Sequence, residues 1–349
     1  MKVGFFSPLP PARTGVADYS ASLVRAMRRT GDVEVGYTAA DICLYHLGNN
    51  HLHRDIYRRA LARPGVAVLH DAVLHHFFLG TLDEPAYIEE FVHNYGGWSA
   101  DLARSLWRNR ARSSADPRYF ERPMLRRIAE TSRAVIVHNP AAAAMVRSHA
   151  PAARIFEIPH LYEEAPAPAA RPVARFGVFG HLRESKRLFP VLKAFSAVPG
   201  ASLLVAGEMG SREFARSVEP LLSQPGVIRR GFAPEPEFSS LLGSVDVGIN
   251  LRYPAAGETS GITIRLMGLG KPVIVTDSAE TSRFPGDACV RIDPGPAEAE
   301  MLAEMMIWLA RDSAARREIG RRARAHIAAH HTPDVAARLY WEVLRATAG

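Results

Sequence analysis

The sequence predicts an α/β protein with two domains, each built on a parallel sheet with crossover helices. The chain has 349 residues, which fits two domains because about 150 residues per domain is typical. Short β-rich runs alternate with helical patterns in both halves, as in parallel sheets. Between the halves, residues 162–174 read YEEAPAPAARPVA without apolar periodicity, which predicts a linker. We expect domains at 1–165 and 166–330, followed by a C-terminal helical segment at 331–349.

Predicted strands recur along both halves. In the first half they are residues 2–7, 33–37, 41–47, 65–71 and 134–139. The second half restarts the pattern at 175–180, 202–208, 226–232, 246–252, 272–277 and 289–293. A restart of this kind indicates a second α/β unit, not a continuation of the first sheet.

Three helices have boundaries that the sequence defines. One begins near Asp18, and another runs from about 261 to 269 before Gly270 ends it. The last starts at Thr332, a hydroxyl cap that is followed by proline at the first helical position.

Residues 77–130 interrupt the strand rhythm of the first half. They carry Trp98 and Trp107 among several arginines. The pattern favours covering helices with a solvated basic face, which are common. The alternative is a surface that binds acidic acceptor groups or a membrane.

Composition and charge narrow the class of protein. Apolar residues make up 47% and charged residues 23% of the chain, as in globular proteins. Two distant cysteines, Cys43 and Cys289, and an N-terminus without a signal-peptide pattern predict a cytoplasmic location.

The net charge of +7 reflects either composition bias or an anionic partner, so contact with the inner face of a membrane stays open. We expect no nucleic-acid partner, because no nucleic-acid-binding motif accompanies the charge.

A phosphate site is predicted where the first strand ends. Gly15 follows this strand and stands beside a helix N-terminus, where backbone N–H groups attract anions and glycine admits close approach. The spacing does not match a dinucleotide fingerprint or a P-loop, so an ordinary turn is the alternative.

A comparable turn opens the second half. Gly180 ends a predicted strand, and Arg183, Lys186 and Arg187 follow before a helix. Three cations at a helix N-terminus oppose the helix dipole unless an anion lies among them. We therefore predict a phosphate site with Lys186 as its point charge, and a solvated surface lysine is the alternative.

The segment GETSGITIRLMG, residues 257–268, combines an acid with a helix start. Ser260, Gly261 and Ile262 would present backbone donors to a phosphate. Glu258 would repel that phosphate and is better suited to accept hydrogen bonds from hydroxyls. An acid for hydroxyls beside amides for phosphate indicates a sugar-phosphate site.

These motifs resemble those of the family 4 glycosyltransferases. FGVFGHLRESKR (176–187) is similar to the family's GRLxxxKG segment, and GETSGITIRLMGLGKPVIVTD (257–277) to its EGFGLxxxEAMAxGxPVIA segment. PPARTGVADYSASL (10–23) resembles the family's N-terminal glycine loop, and VAVLHD (66–71) resembles the strand end that carries its sugar-contacting histidine. The resemblance covers nearly the whole chain.

The resemblance implies the GT-B fold, in which two Rossmann-like domains face each other across a cleft. The N-terminal domain would serve the acceptor, the C-terminal domain would bind the nucleotide sugar, and the last helix would cross back to the first domain. Transfer would retain the anomeric configuration and need neither metal nor cofactor. Its catalytic residues would be His70, Glu258 and Lys186, and the donor-binding set would comprise Gly15, Gly180, Arg183, Lys186, Ser260, Gly261, Ile262 and Arg265.

Two positions depart from the family pattern. Arg265 stands where members usually carry a second glutamate that contacts the nucleotide ribose, and the spacing from Glu258 is one residue short. His181 replaces the arginine that usually follows the strand glycine. Arg183 is the candidate to take over that phosphate contact.

Histidines and asparagines near the predicted strand ends suggest the acceptor side. His46, Asn49 and Asn50 follow one another closely in YHLGNN, and a structural loop is the equal alternative. Asp71 and His75 would share a face on a helix, so a metal site is conceivable, but we expect none.

The predicted activity is hexosyl transfer from a UDP- or GDP-sugar to a glycan, lipid-linked or small-molecule acceptor. The alternatives are a nucleotide-sugar epimerase and an inactive sugar-nucleotide-binding protein.

Overall fold

A computed structural model of the chain describes residues 1–164 and 174–348. Most of the predicted linker, residues 165–173, therefore lies outside the described residues. The chain divides into two compact units. The first contains the described residues of three segments, Met1–Glu163, Ala255–Thr259 and His331–Gly349. The second contains those of Glu164–Pro254 and Ser260–His330.

The first unit is built on a parallel sheet. Among the described residues its strands are β1 (Lys2–Phe6), β2 (Asp32–Val35), β3 (Ile42–Leu47), β4 (Val66–Leu69), β5 (Ala134–Val137) and β6 (Ile155–Glu157). Their order across the sheet is β2-β1-β3-β4-β5-β6, and every pairing is parallel. Five of these strands lie where the sequence predicts them. β6 was not predicted, because a three-residue edge strand that is only partly buried carries no clear apolar pattern.

Helices cover both faces of this sheet. They are α1 (Gly15–Arg28), α2 (Arg54–Ala62), α3 (His75–Thr81), α4 (Glu84–Tyr95), α5 (Ala100–Arg108), α6 (Arg126–Thr131) and α7 (Pro140–His149). α1 begins three residues before the predicted start, because Thr14 Oγ1 caps it by accepting from the Val16 amide at 3.3 Å. Segment 77–130 forms helices that bury Leu106 and Trp107 against the core, and Trp98 is left 81% exposed.

The last helix in the described chain packs within the first unit. It spans Pro333–Thr347 and is capped by Thr332, whose hydroxyl accepts from the Val335 amide at 3.2 Å. Its Tyr340 and Trp341 are buried against α1. The Tyr340 hydroxyl lies 2.9 Å from the Tyr19 hydroxyl, and Trp341 Nε1 donates to the Met27 carbonyl at 3.3 Å.

The second unit repeats the architecture. In its described part the strands are β7 (Arg175–Phe179), β8 (Ser202–Ala206), β9 (Val227–Arg230), β10 (Val247–Asn250), β11 (Val273–Thr276) and β12 (Val290–Ile292), in the order β12-β11-β10-β7-β8-β9. All of them lie where the sequence predicts them and pair in parallel. The helices are α8 (Leu188–Phe195), α9 (Arg212–Leu222), α10 (Glu235–Gly243), α11 (Gly261–Gly268), α12 (Glu298–Arg311) and α13 (Ser313–His330). In the part of the chain that is described, no helix is long and apolar enough to cross a membrane.

Candidate functional site

A tight turn at the carboxyl end of β7 brings predicted donor-binding residues of the second unit together. Gly180 has φ of +93°, a conformation that L side chains rarely adopt. A Cβ on Gly180 would lie 2.8 Å from Ile262 Cδ1 and 3.0 Å from Lys186 Nζ. The lysine ammonium and the first turn of α11 therefore converge on a backbone that has no side chain.

Lys186 is buried at this turn. Its side chain is 7% exposed, and Nζ donates to the Phe179 carbonyl at 3.1 Å. Burial, and after it the charges of Arg183 and Lys186, lowers the pKa of His181. The Arg183 Nε atom is also buried, and no residue of the described chain accepts its hydrogen bond. A buried guanidinium N–H without such an acceptor, beside further cations, favours an anionic ligand.

The N-terminus of α11 completes this cluster, which we call the anion cradle (Gly180, Arg183, Lys186 and Ser260–Ile262). Ser260 Oγ caps the helix by accepting from the Thr263 amide at 3.3 Å. The amides of Gly261 and Ile262 belong to the first turn, whose N–H groups have no intrahelical partner. Such a helix end attracts phosphate groups.

Asn250 supports the anion cradle and was missed in the sequence. Its side chain is 8% exposed, and Nδ2 donates to Ser260 Oγ at 2.5 Å. It is the last residue of β10. The signal that could have identified it is a polar residue at the end of a buried strand, at the sheet edge where α/β proteins bind ligands.

Arg187 corrects part of the sequence argument. The sequence predicts that the three cations before α8 need a ligand anion, but Arg187 pairs with an acidic residue of the chain itself. Its Nε donates to Glu298 Oε2 at 2.8 Å, and the Glu298 side chain is 3% exposed. Arg187 is therefore not evidence of a ligand anion, whereas the buried Arg183 Nε still lacks an acceptor in the described chain.

Arg265 is held by α10. Its guanidinium forms a bidentate ion pair with Glu235, donates to Ser239 Oγ at 2.7 Å and lies 5.2 Å from the centre of the Phe238 ring. A carboxylate is thus present beside Arg265, although it comes from α10 and not from α11. The Glu235 side chain is 49% exposed.

Glu258 belongs to the first unit, in the loop Ala255–Thr259. The Ala256 carbonyl accepts from the Ala72 amide at 2.9 Å, and Asn139 Nδ2 donates to Gly257 O at 2.9 Å. Gly257 has φ of +67°, and a Cβ there would lie 2.6 Å from Ala72 Cβ. One carboxylate oxygen of Glu258 accepts from the Ala256 amide at 2.7 Å, which fixes the orientation of the side chain.

His70 lies at the end of β4 and is 8% exposed. Its Nε2 is 2.9 Å from Nδ1 of His46, and its ring packs edge-on against Tyr19 with 4.9 Å between ring centres. Burial, reinforced by His138 and His46, holds the pKa of His70 well below its usual value. The imidazole is therefore neutral at pH 7.

The residues predicted for the acceptor side are engaged in local structure. His46 is fully buried, so it cannot contact an acceptor directly. Asn49 Oδ1 accepts from the Phe77 amide at 2.6 Å, and Asn50 Oδ1 accepts from the Leu52 amide at 3.0 Å. These bonds favour the structural-loop interpretation. Gly15, by contrast, opens α1 with no heavy atom within 4 Å of the place its Cβ would take.

Asp71 and His75 do not share a helical face, as the sequence-based metal site would require. Helix α3 begins at His75, so Asp71 precedes it and does not share its face. Asp71 Oδ2 accepts from the Asn49 amide at 2.8 Å, while the His75 ring lies 2.7 Å from the Tyr87 hydroxyl and 3.1 Å from the Arg122 carbonyl. Within residues 1–164 and 174–348, no group of three or more His, Cys, Asp or Glu side chains could hold a metal ion.

The C-terminal part of the chain matches a known family. Residues 183–340 match the family described as glycosyl transferase-like. No curated protein sequence matches the chain significantly.

Solved structures match almost the whole chain. Sucrose-phosphate synthase of Thermosynechococcus elongatus has a TM-score of 0.74 at 13% identity, covering 99% of this chain and 98% of that chain. HepE of Anabaena, in complex with UDP and glucose, has 0.70 at 14%, covering 99% and 100%. WaaG, a glycosyltransferase involved in lipopolysaccharide biosynthesis, has 0.61 at 16%, covering 99% and 100%. The protein therefore has the GT-B fold, with a Rossmann-like sheet in each unit.

Proposed function

We propose that this protein is a retaining glycosyltransferase that moves a hexosyl unit from a UDP- or GDP-sugar to an acceptor hydroxyl. The acceptor would be a glycan, a lipid-linked sugar or a small molecule. The match of residues 183–340 to a glycosyl transferase-like family supports the reaction class. The complexes of HepE with UDP and glucose support the class of donor.

The observation that carries the proposal is the anion cradle of the second unit. A buried ammonium lies 3.0 Å from the position of an absent Cβ at Gly180, beside the start of α11. Positive charge and the N–H groups of a helix start, placed together, suit an anionic phosphate group. The diphosphate of a nucleotide sugar is such a group.

The chemistry follows from where charge develops. As the sugar–phosphate bond breaks, the leaving diphosphate gains negative charge, which Lys186, Arg183 and the α11 amides would stabilise. Glu258 and His70 would orient sugar hydroxyls. Because the cations come from side chains, we expect activity that a chelator such as EDTA does not reduce.

A donor panel tests the proposal. Wild-type protein is incubated with UDP-, GDP- and dTDP-sugars, and nucleotide release and sugar interconversion are measured. Release of nucleotide from a UDP- or GDP-sugar, accelerated by an acceptor, is the expected result. Interconversion of sugars would identify an epimerase, and binding without turnover would identify a binding protein. The ion pair between Arg265 and Glu235 is the observation that motivates the test for binding without turnover.

A further inference from the structure

Four strands of the first sheet carry a histidine at or just beyond their carboxyl ends. These residues, His46, His70, His138 and His160, form what we call the histidine cluster. Their rings surround Tyr19, with 6.1 Å or less between ring centres. His46, His70 and His138 are at most 8% exposed, so the proton on each ring needs a specific acceptor.

Two histidines fix their tautomers through carbonyl partners. His53 Nδ1 lies 2.9 Å from the His46 carbonyl, and His138 Nδ1 lies 2.9 Å from the Ile158 carbonyl. A carbonyl only accepts, so both rings carry their proton on Nδ1. In both, Nε2 is buried and has no hydrogen-bond partner among the described residues. This environment therefore accommodates bare Nε2 lone pairs.

His46 resembles His53 and His138 in that its Nε2 has no partner, but its Nδ1 faces a histidine instead of a carbonyl. Its Nδ1 is 2.9 Å from His70 Nε2, and its own Nε2 is buried without a partner in the described chain. If His70 donated to His46, the His46 proton would sit on Nε2 as a buried N–H without an acceptor, which is rare and costly. If His46 donates, its Nε2 is a lone pair, as in His53 and His138.

We propose that His46 is a positioning residue that donates Nδ1–H to His70 Nε2 and thereby holds His70 in the Nδ1–H tautomer. No residue of the described chain forms a hydrogen bond with His70 Nδ1. That atom is then a donor for an oxygen of a bound ligand, a sugar hydroxyl if the proposed function holds. His70 consequently cannot remove a proton from an acceptor through Nδ1.

Nitrogen NMR reads the tautomer directly. Protein labelled with ¹⁵N-histidine is observed at pH 7.5 through long-range proton–nitrogen correlations of the imidazole rings, and the His70 signals are assigned by their loss in His70→Asn. We expect the proton on Nδ1 in both His70 and His46. A proton on His70 Nε2 would overturn the proposal. This spectrum requires no substrate, so it stands or fails separately from the proposed function.

Two variants at His46 add a kinetic readout that rests on the proposed function. In His46→Leu we expect His70 to show a mixture of tautomers and kcat for transfer to fall about tenfold, the effect of one hydrogen bond. In His46→Asn, whose amide can still donate, we expect the Nδ1–H tautomer and most of the rate to persist. An unchanged His70 tautomer in folded His46→Leu would contradict the proposal. If His46→Leu does not fold, the wild-type spectrum decides.

Discussion

A side chain at Gly180 would meet neighbouring atoms, whereas a side chain at Gly15 would not. Alanine variants at the two positions can therefore separate an effect on folding stability from an effect on ligand binding. A Cβ at Gly180 would meet Ile262 and Lys186 in a conformation with φ of +93°. We expect Gly180→Ala to lower the free energy of unfolding by about 1–3 kcal/mol because of this strain. Thermal unfolding measures the effect, and an unchanged midpoint would show that the turn is not constrained as described.

Gly15→Ala serves as the counterpart. Nothing lies within 4 Å of a Cβ at Gly15, which is the first residue of α1, and alanine is the better helix former. We expect an unchanged or slightly higher thermal midpoint. Under the proposed function, in which a donor phosphate approaches this glycine, the affinity for the nucleotide sugar should nevertheless fall about tenfold, because the Cβ would occupy that space. Equal affinity in calorimetric titrations of the variant and the wild type would place the phosphate elsewhere.

Arg265 and Glu235 form a pair whose role two matched variants can define. Arg265→Lys removes the bidentate contact from one side, and Glu235→Gln removes the charge from the other. Because the pair is partly exposed, we expect the free energy of unfolding to change by at most about 1 kcal/mol in either variant. Both should weaken binding of UDP or GDP but not of pyrophosphate. Equal loss for pyrophosphate would show a direct phosphate contact instead.

At the scale of elements, we expect the start of α11 to contribute both to folding stability and to nucleotide binding. Ser260 caps the helix and accepts from Asn250. We expect Ser260→Ala to lower the free energy of unfolding by about 1 kcal/mol and to weaken nucleotide binding, since the cap orients the first-turn amides. Asp83→Ala is the control, because Asp83 caps α4 by accepting from the Ala86 amide at 3.0 Å. If both variants bind nucleotide like the wild type, α11 does not contribute to the site.

Regular elements followed from sequence because their signals are local. Buried parallel strands such as β7 and β11 are short apolar runs between turns, and a capping residue such as Thr332 marks a helix start. β6 escaped because a partly exposed edge strand of three residues has no such signal. The placement of Glu258 in the first unit could not be predicted from the sequence. It depends on contacts of the Glu258 loop with Ala72 and Asn139, which are distant in sequence.

The candidate site followed from sequence only in part, for the same reason. Gly180, Lys186 and Ile262 were predicted from local motifs, and their convergence is a property of the folded second unit. The burial of His46 and the pairing of Arg187 with Glu298 required tertiary structure. Charge patterns in sequence show which side chains need partners, but not whether a ligand or the chain itself supplies them.

For the whole molecule, buried histidines predict sensitivity to acid. Burial is the main cause that lowers the pKa of His53 and of His138 from 6.5 to about 4. Below pH 6.5 the unfolded chain binds these protons and the folded chain does not, so stability falls as the pH falls from 6.5 toward 4. Each group contributes up to about 1.4 kcal/mol per pH unit in this window.

Urea unfolding between pH 5 and 7.5 measures this dependence. We expect the free energy of unfolding to be largest near pH 7.5 and to decrease steadily below 6.5. The variant His53→Gln should show a shallower decrease than the wild type, because it lacks one of these rings. Equal stability at pH 5 and pH 7.5 would mean that these rings are accessible to protons in the folded state.

The central claim is that the anion cradle binds the diphosphate of a nucleotide sugar, and titration of Lys186→Met with UDP and GDP tests it most directly. Lys193→Met, at an exposed position on α8, is the matched control. We predict that wild type and Lys193→Met bind at least one of these nucleotides equally well. Lys186→Met should bind it about 10- to 100-fold more weakly, since a hydrogen bond to a charged group contributes about 1.5–3 kcal/mol. Equal affinity in Lys186→Met, or no binding of either nucleotide by the wild type, would contradict the account.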